Sequence, residues 1–427
     1  MAESGSSGGP PAGSIAPIVA VRLHRDRVTV ALYAHFVAWG WLLYSFSPSV
    51  PLIAAEQHIS KATAGLHGTS MAAGTVLCAF ISAPLVARLG RRGTLLVASA
   101  SLAAGVGILV SGSTLTTTLP GAFVTAMGGT LLLSAALPAL SVHHGAASAA
   151  AVVEANGVGS SFGLLAPLAL GLSVAAGWGW RPAVAVTIAL AAVAAALIGS
   201  LPGRGALGSS RVAPGAGEPG GPDGPGAPPT APVGAPPARG FSGAFWCFWV
   251  GLIAAVAIEN ATTFWAADLL ISRTGAGPGI ATGALAGLIG GMSAARFIVG
   301  PLSLRGQAEK LLIIAFVLAG AGWLVLWLAT TTTLAVVGLV VAGLGYGAQY
   351  PLSIALVLRA SAGRPDQAQA RATLGAGGAI AVAPFLLGAL ADRVGSHSAF
   401  LLVPALISIG AVAVALGLRR VRSAAKS

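Results

Sequence analysis

Twelve apolar stretches recur along the chain, each of roughly 20 residues and so long enough to cross a hydrocarbon core about 30 Å thick. They cover 28–50, 63–87, 93–112, 117–140, 147–172 and 181–200, and then 244–270, 278–303, 309–329, 333–358, 369–390 and 398–418. Most are apolar on every face, the pattern of helices buried in lipid or protein rather than lying on a wet surface. The runs are continuous and lack a period-two alternation, which selects helices over barrel strands. Only 8% of the 427 residues are charged, against about 25% in soluble domains. A soluble globule of this size needs more polar surface than that, which excludes a soluble enzyme or a DNA-binding protein as the default.

Residues 1–27 are rich in Ser, Gly and Pro and then basic. They show no apolar segment with a small-residue cleavage site, so a disordered N-terminus followed by an uncleaved first span is expected. Ten of the 26 prolines fall between Pro202 and Pro237. This segment, 201–243, cannot pack a core and reads as a flexible linker between six-span units at 28–200 and 244–418, with a basic tail at 419–427.

The charge, +12, is a topology signal. With residue 1 in the cytoplasm, 18 of the 23 basic residues fall on the cytoplasmic side. Lys61, Arg181, Arg273 and Arg393 fall outside, and Arg296 lies within a span. Both termini are therefore expected in the cytoplasm. No aromatic stripe accompanies the basic residues, so nucleic acid is not an expected partner. Cys78 and Cys247 lie in apolar runs and form no disulfide framework. The excess of arginine over lysine fits a GC-rich bacterial genome.

The halves repeat. Ala83-Pro84 matches Gly300-Pro301, Arg88 matches Arg305, and Ala166-Pro167 with Gly171 matches Ala383-Pro384 with Gly388, every pair 217 positions apart. Six spans per half preserve orientation, so these are parallel repeats about an axis along the membrane normal. On these residues the chain resembles the major facilitator superfamily of secondary transporters. The family's loop between spans two and three reads G-x-x-x-D-R-x-G-R-R. Here Arg88, Gly90, Arg91 and Arg92 keep the latter part, while Ala83 and Ala87 replace the glycine and aspartate. After span eight, Leu304 stands where the aspartate would be. An intact G-x-x-x-D-R-x-G occurs at Gly388, Asp392, Arg393 and Gly395, in an outer loop. Gly179-Trp180-Arg181 is a further family feature. The resemblance implies an all-α membrane protein of twelve transmembrane helices in two six-helix parallel repeats. It also implies alternating access around a midplane site between spans 1, 4, 5, 7, 8, 10 and 11, and a cytoplasmic gate drawn from Arg88, Arg91, Arg92, Glu154, Arg296 and Arg305. The arginines serve either that gate or simple anchoring to anionic headgroups.

Ionisable residues deep in a membrane cost a few kcal/mol or more and are functional candidates by default. Spans 3, 6, 9 and 12 carry none in their interiors. Glu259, amid Ala257-Ile258-Glu259-Asn260-Ala261-Thr262-Thr263, is the first choice. A carboxyl shielded from water and cations can cycle between its neutral and charged forms, as proton coupling requires. The alternative is a permanent pairing with a donor on another helix. His35 shares a face with Trp39, Leu42 and Phe46, and is either a second proton or substrate site or an interhelical hydrogen bond. Asn260, Thr263, Tyr346, Gln349 and Tyr350 are candidate cavity residues. Arg296 binds an anionic substrate, pairs with a carboxylate, or snorkels. Glu154 reads as an acid near the start of span 5, with an arginine partner at the gate as the alternative.

Gly343-x-Gly345-x-Gly347 has no preceding strand and is no phosphate loop. Gly283, Gly287 and Gly291, like Gly159, Gly163 and Pro167, form close-packing faces. His143-His144 lacks further ligands, so no metal site is expected, and no cofactor. The partners expected are a small-molecule substrate, protons and the lipid bilayer, with the protein acting as a monomer in the cytoplasmic membrane. Proton-coupled efflux of a hydrophobic compound leads over uptake of a sugar or carboxylate. An integral-membrane enzyme would need an acidic pair, metal ligands or a catalytic loop, and a transport-dead sensor would need a signalling domain. The sequence offers none of these.

Overall fold

The computed structural model describes residues 23–208, 240–303, 308–362 and 365–424. The N-terminal segment 1–22, most of the linker (209–239), Arg305 and the last three residues of the tail lie outside the described residues.

Span 1 starts at Arg27, where the Asp26 side chain accepts from the amide of Thr29, and runs through Phe46. It does not stop at 50. Ser47–Ser49 form a single 3-10 turn and Val50–Gln57 continue the helix, with a proline in the first turn of each piece, where a missing N–H costs nothing. Spans 2 and 3 form one run, Lys61–Ser111, broken at Gly90 (φ 70°, ψ 171°). Only glycine takes that conformation without strain. Span 4 is Leu115–His144, span 5 is Glu154–Ala175 with a break near Leu164, and span 6 is Arg181–Gly199. The second half repeats the pattern. Span 7 is Gly243–Thr274, span 8 Pro278–Ser303, span 9 Ala308–Leu328 and span 10 Thr332–Arg359. Span 11 is Pro365–Ala399 and span 12 Leu402–Ala424. Eleven of these helical runs are long and apolar enough to cross a membrane, and the 51-residue run holds two crossings. The helix of span 12 extends past the expected end at 418, and Arg420 Nη1 donates to the carbonyl of Gly243 at 3.0 Å.

Helices approach closely where glycine removes the side chain. Gly40 faces the backbone of Gly159, Gly128 that of Leu102, Gly343 that of Leu288 and Gly345 that of Ala319. The three glycines of 343–347 are thus helix-packing positions. Leu172 and Val317 are 73% and 66% exposed. Apolar side chains this open on a folded surface belong against lipid.

An even number of spans puts both ends of the chain and the linker on one face, here the linker face. On the opposite, far face the halves press together. Gly65 packs on Phe385, Gly388 on Lys61, and Gly171 on Gly279 and Gly283. Between spans 2 and 11 the contact reaches Thr69, whose hydroxyl donates to the carbonyl of Ala381 at 2.7 Å. Further toward the linker face, a Cβ on Gly377 or Gly378 would meet nothing within 4 Å, and Leu77 and Phe80 are exposed. The space between the halves opens to the linker face.

Candidate functional site

Glu259 sits in the body of span 7, half-buried beside Asn260. Its backbone carbonyl accepts from the hydroxyl of Thr263 at 2.7 Å. Its carboxylate has no hydrogen bond or ion pair among the described residues and lies within electrostatic reach of Arg296, Tyr346 and Tyr350. Thr262 bonds the hydroxyl of Tyr346 at 3.1 Å, and Gly347 packs on Met292. These contacts bring the middles of spans 7, 10 and 8 to one depth, so Glu259, Tyr350 and Arg296 lie within about one helical turn of each other along the membrane normal.

Arg296 enters from span 8. Its Nη1 donates to the hydroxyl of Ser160 on span 5, in the other half, at 2.9 Å, and the Tyr44 hydroxyl of span 1 is within reach. The sequence marks neither Ser160 nor Tyr44. A serine in a small-residue helix and a tyrosine near two tryptophans give no local signal. Among the described residues the site therefore holds an unpartnered carboxylate, a guanidinium bonded to Ser160, and the half-exposed ring of Tyr350.

The other candidates scatter. Asn260 donates to its own helix at Val256 and Thr263 to Glu259. Tyr346 is buried on Thr262, and its one-turn neighbour Tyr350 is the more open of the two. Gln349 points away from the opening, toward the Ala315 carbonyl of span 9 at 3.5 Å. His35 is fully buried, its Nδ1 against the carbonyl of Ala31, and packs beside Leu95 of span 3. That is an interior position within one half and away from the opening. Trp39 packs against Gly129 of span 4.

Of the expected cytoplasmic gate residues, Arg91, Arg92 and Glu154 make contacts inside the N-terminal half, and Arg305 lies outside the described residues. Arg92 caps the last carbonyls of span 6, Ile198 at 3.3 Å and Gly199 at 2.5 Å, and Arg91 donates to Ala206 at 3.1 Å. Arg88 is exposed. Glu154 pairs in bidentate fashion with Arg25, at 2.5 and 2.8 Å, joining spans 1 and 5 of the same half. His143 meets Asp26 at 2.8 Å and His144 meets Thr29 at 2.9 Å. No cluster of three or more metal-ligating side chains occurs among the described residues.

The family model for the Major Facilitator Superfamily matches residues 30–308 and 285–427. No curated protein matches the sequence at a significant level. Among solved structures, a point mutant of the nucleoside transporter NupG superposes with a TM-score of 0.69 at 13% identity, covering 92% of this chain and 98% of that one. A bacterial homologue of the human drug peptide transporters PepT1 and PepT2 gives 0.68 at 14%, covering 93% and 97%. A point mutant of the Escherichia coli fucose:proton symporter FucP gives 0.58 at 15%, covering 91% and 98%. At such identities the likeness is one of fold. The family match extends over the chain, and this protein belongs to the Major Facilitator Superfamily, as a transporter and not an enzyme.

Proposed function

We propose that the protein is a proton-coupled secondary transporter of the cytoplasmic membrane, with its linker face in the cytoplasm, and that it exports a small hydrophobic organic molecule. The observation that carries this reading is the Glu259 carboxylate, held in the body of span 7 beside the space between the halves with no partner among the described residues. A carboxyl so placed can take a proton from one side and deliver it to the other as the halves rock. Each inward proton releases about 2.3 kcal/mol per 100 mV of membrane potential. The excess of arginine on the linker face supports the orientation, and the largely apolar surroundings support the cargo class. Asn260, which is half-buried, and Tyr350 supply its few polar contacts. With the structural neighbours only the fold is shared, and one of them, FucP, is a fucose:proton symporter.

A second reading is uptake of a sugar or carboxylate. Arg296 favours it, because the Ser160 bond uses only one of the five guanidinium donors.

The test is transport into vesicles carrying an imposed pH gradient, after a thermal-shift screen for ligands. Glu259→Gln copies the protonated acid. It should preserve binding and exchange, which need no net proton release, and abolish accumulation driven by the gradient. Full gradient-driven accumulation by this variant would end the coupling assignment. Loss of both binding and exchange would instead make Glu259 a contact for a cationic substrate.

A further inference from the structure

The first three amides of span 2 are capped from two sources. Ser60, the helix's own N-cap, accepts from Thr63 N at 3.1 Å. The other two are taken by a residue of the opposite half. Asp392 of span 11 accepts from Lys61 N at 2.9 Å through Oδ1 and from Ala62 N at 2.8 Å through Oδ2. The Lys61 side chain crosses the same seam. Its Nζ donates to Asp268 Oδ2 of span 7 at 2.7 Å and to Ser396 Oγ at 2.6 Å, and Ser396 in turn donates to Asp268. Gly395, at φ 80° and ψ 155°, turns the chain immediately before Ser396. The lysine and Asp268 side chains keep only 30% and 21% exposure. An anion at a helix N-terminus also meets the positive end of the helix dipole, which adds to both backbone bonds.

From this arrangement we infer that Asp392, Lys61, Asp268 and Ser396 form a lock that holds the far face shut and sets the resting conformation of the transporter. Every bond from Lys61 and Ala62 to Asp392, Asp268 and Ser396 crosses from one half to the other, so opening the far face must break them together. Among the described residues the linker face lacks a counterpart. Gly90 has nearly the backbone conformation of Gly395, and Arg88-x-Gly90 repeats Arg393-x-Gly395, but Ala87 stands where Asp392 stands. The loop with the carboxylate is locked and the loop without it faces the opening, as the packing of Gly65, Gly171 and Gly388 also has it. The inference depends on the chain being an alternating-access transporter and not on Glu259.

Distance measurements between spin labels test it without any substrate. In a background with Cys78 and Cys247 changed to alanine, one pair is placed on the far face, Ser113→Cys with Thr333→Cys. A second is placed on the linker face, Ser141→Cys with Ser423→Cys. Asp392→Asn and Lys61→Gln are introduced separately. The lock predicts that in either variant the far pair gains a longer distance while the linker pair gains a shorter one. The ratio of the two states should rise by about tenfold or more. Unchanged distributions in both variants overturn the inference. So does simultaneous broadening of both pairs in both variants, because that marks a fold contact rather than a gate. Transport lost in Glu259→Gln with these distances unchanged leaves the lock standing.

Discussion

The guanidinium of Arg296 and the hydroxyl of Ser160 meet at 2.9 Å across the two halves, and this is the polar contact that closes the candidate site on its span 5 side. A hydrogen bond to a charged group contributes about 1.5–3 kcal/mol when shielded from water. Ser160→Ala should therefore lower thermal stability in detergent by a few degrees and leave the protein folded. If Arg296 serves substrate as well, Arg296→Lys should lose anionic ligand binding while Ser160→Ala keeps it, since the ammonium cannot reproduce the planar fork. Thermal-shift titration of the two variants separates these roles.

Arg181 is the main staple at the far face of the N-terminal half. It pairs with Glu56 through Nη1 at 2.7 Å and Nη2 at 2.6 Å, and donates to the carbonyls of Val110 at 2.9 Å and Gly112 at 2.8 Å. Trp180 adds a bond to Glu56 at 2.8 Å. Spans 1, 3 and 6 are joined in this way. Arg181→Ala should destabilise the protein by about 2 kcal/mol, the loss of a bidentate pair and two carbonyl caps. Arg181→Lys should recover only part of it. Denaturation of both variants under identical detergent conditions is the check.

The spans were legible because lipid demands long apolar runs and each polar interruption stands out. For the same reason Glu259, a single charge in an apolar helix, stands out in the sequence as a candidate. The face that each residue presents could not. Span 10 is apolar all round, so nothing in the sequence distinguished Tyr350, which is open, from Gln349, which turns to Ala315. His35 and Trp39 sit on a helix that packs on several sides at once, and no periodicity marks the cavity side. Contacts between distant segments were invisible. Asp392 and Lys61 lie 331 positions apart, and their bond uses backbone amides that carry no sequence signature. The helix that runs on through Ser47-Pro48-Ser49 was also hidden, because a proline in a first turn reads locally like a stop.

Acid should unfasten the linker-face end of span 1. Burial alone would raise the Asp26 carboxyl, but bonds from the amide and hydroxyl of Thr29 and from His143 outweigh it and hold it below the ordinary aspartate value. A lowered folded-state value means the group stabilises the fold above the unfolded aspartate pKa, about 3.9. The contribution is lost as pH falls below that value and through the folded one. Between pH 6 and pH 3 the wild type should lose thermal stability more steeply than Asp26→Asn. Parallel curves would remove Asp26 from the acid response.

Two glycines that look alike in sequence should behave differently when given a methyl group. Gly128 lies inside one half, and a Cβ there would stand 2.6 Å from the amide nitrogen of Leu102. Spans 3 and 4 stay packed whichever way the halves rock, so Gly128→Ala should cost about 1–3 kcal/mol of stability in every state. Gly171 lies between the halves, and its Cβ would stand 2.5 Å from the carbonyl oxygen of Gly279 and 3.0 Å from the Cα of Gly283. That clash exists only while the far face is shut. Gly171→Ala should therefore spare the unfolding midpoint and instead move the protein toward the far-open state. The far-face label pair should report the movement. A drop in midpoint as large as that of Gly128→Ala, with the label distances unmoved, would mean that spans 5 and 8 stay together through the cycle and that the hinge lies elsewhere.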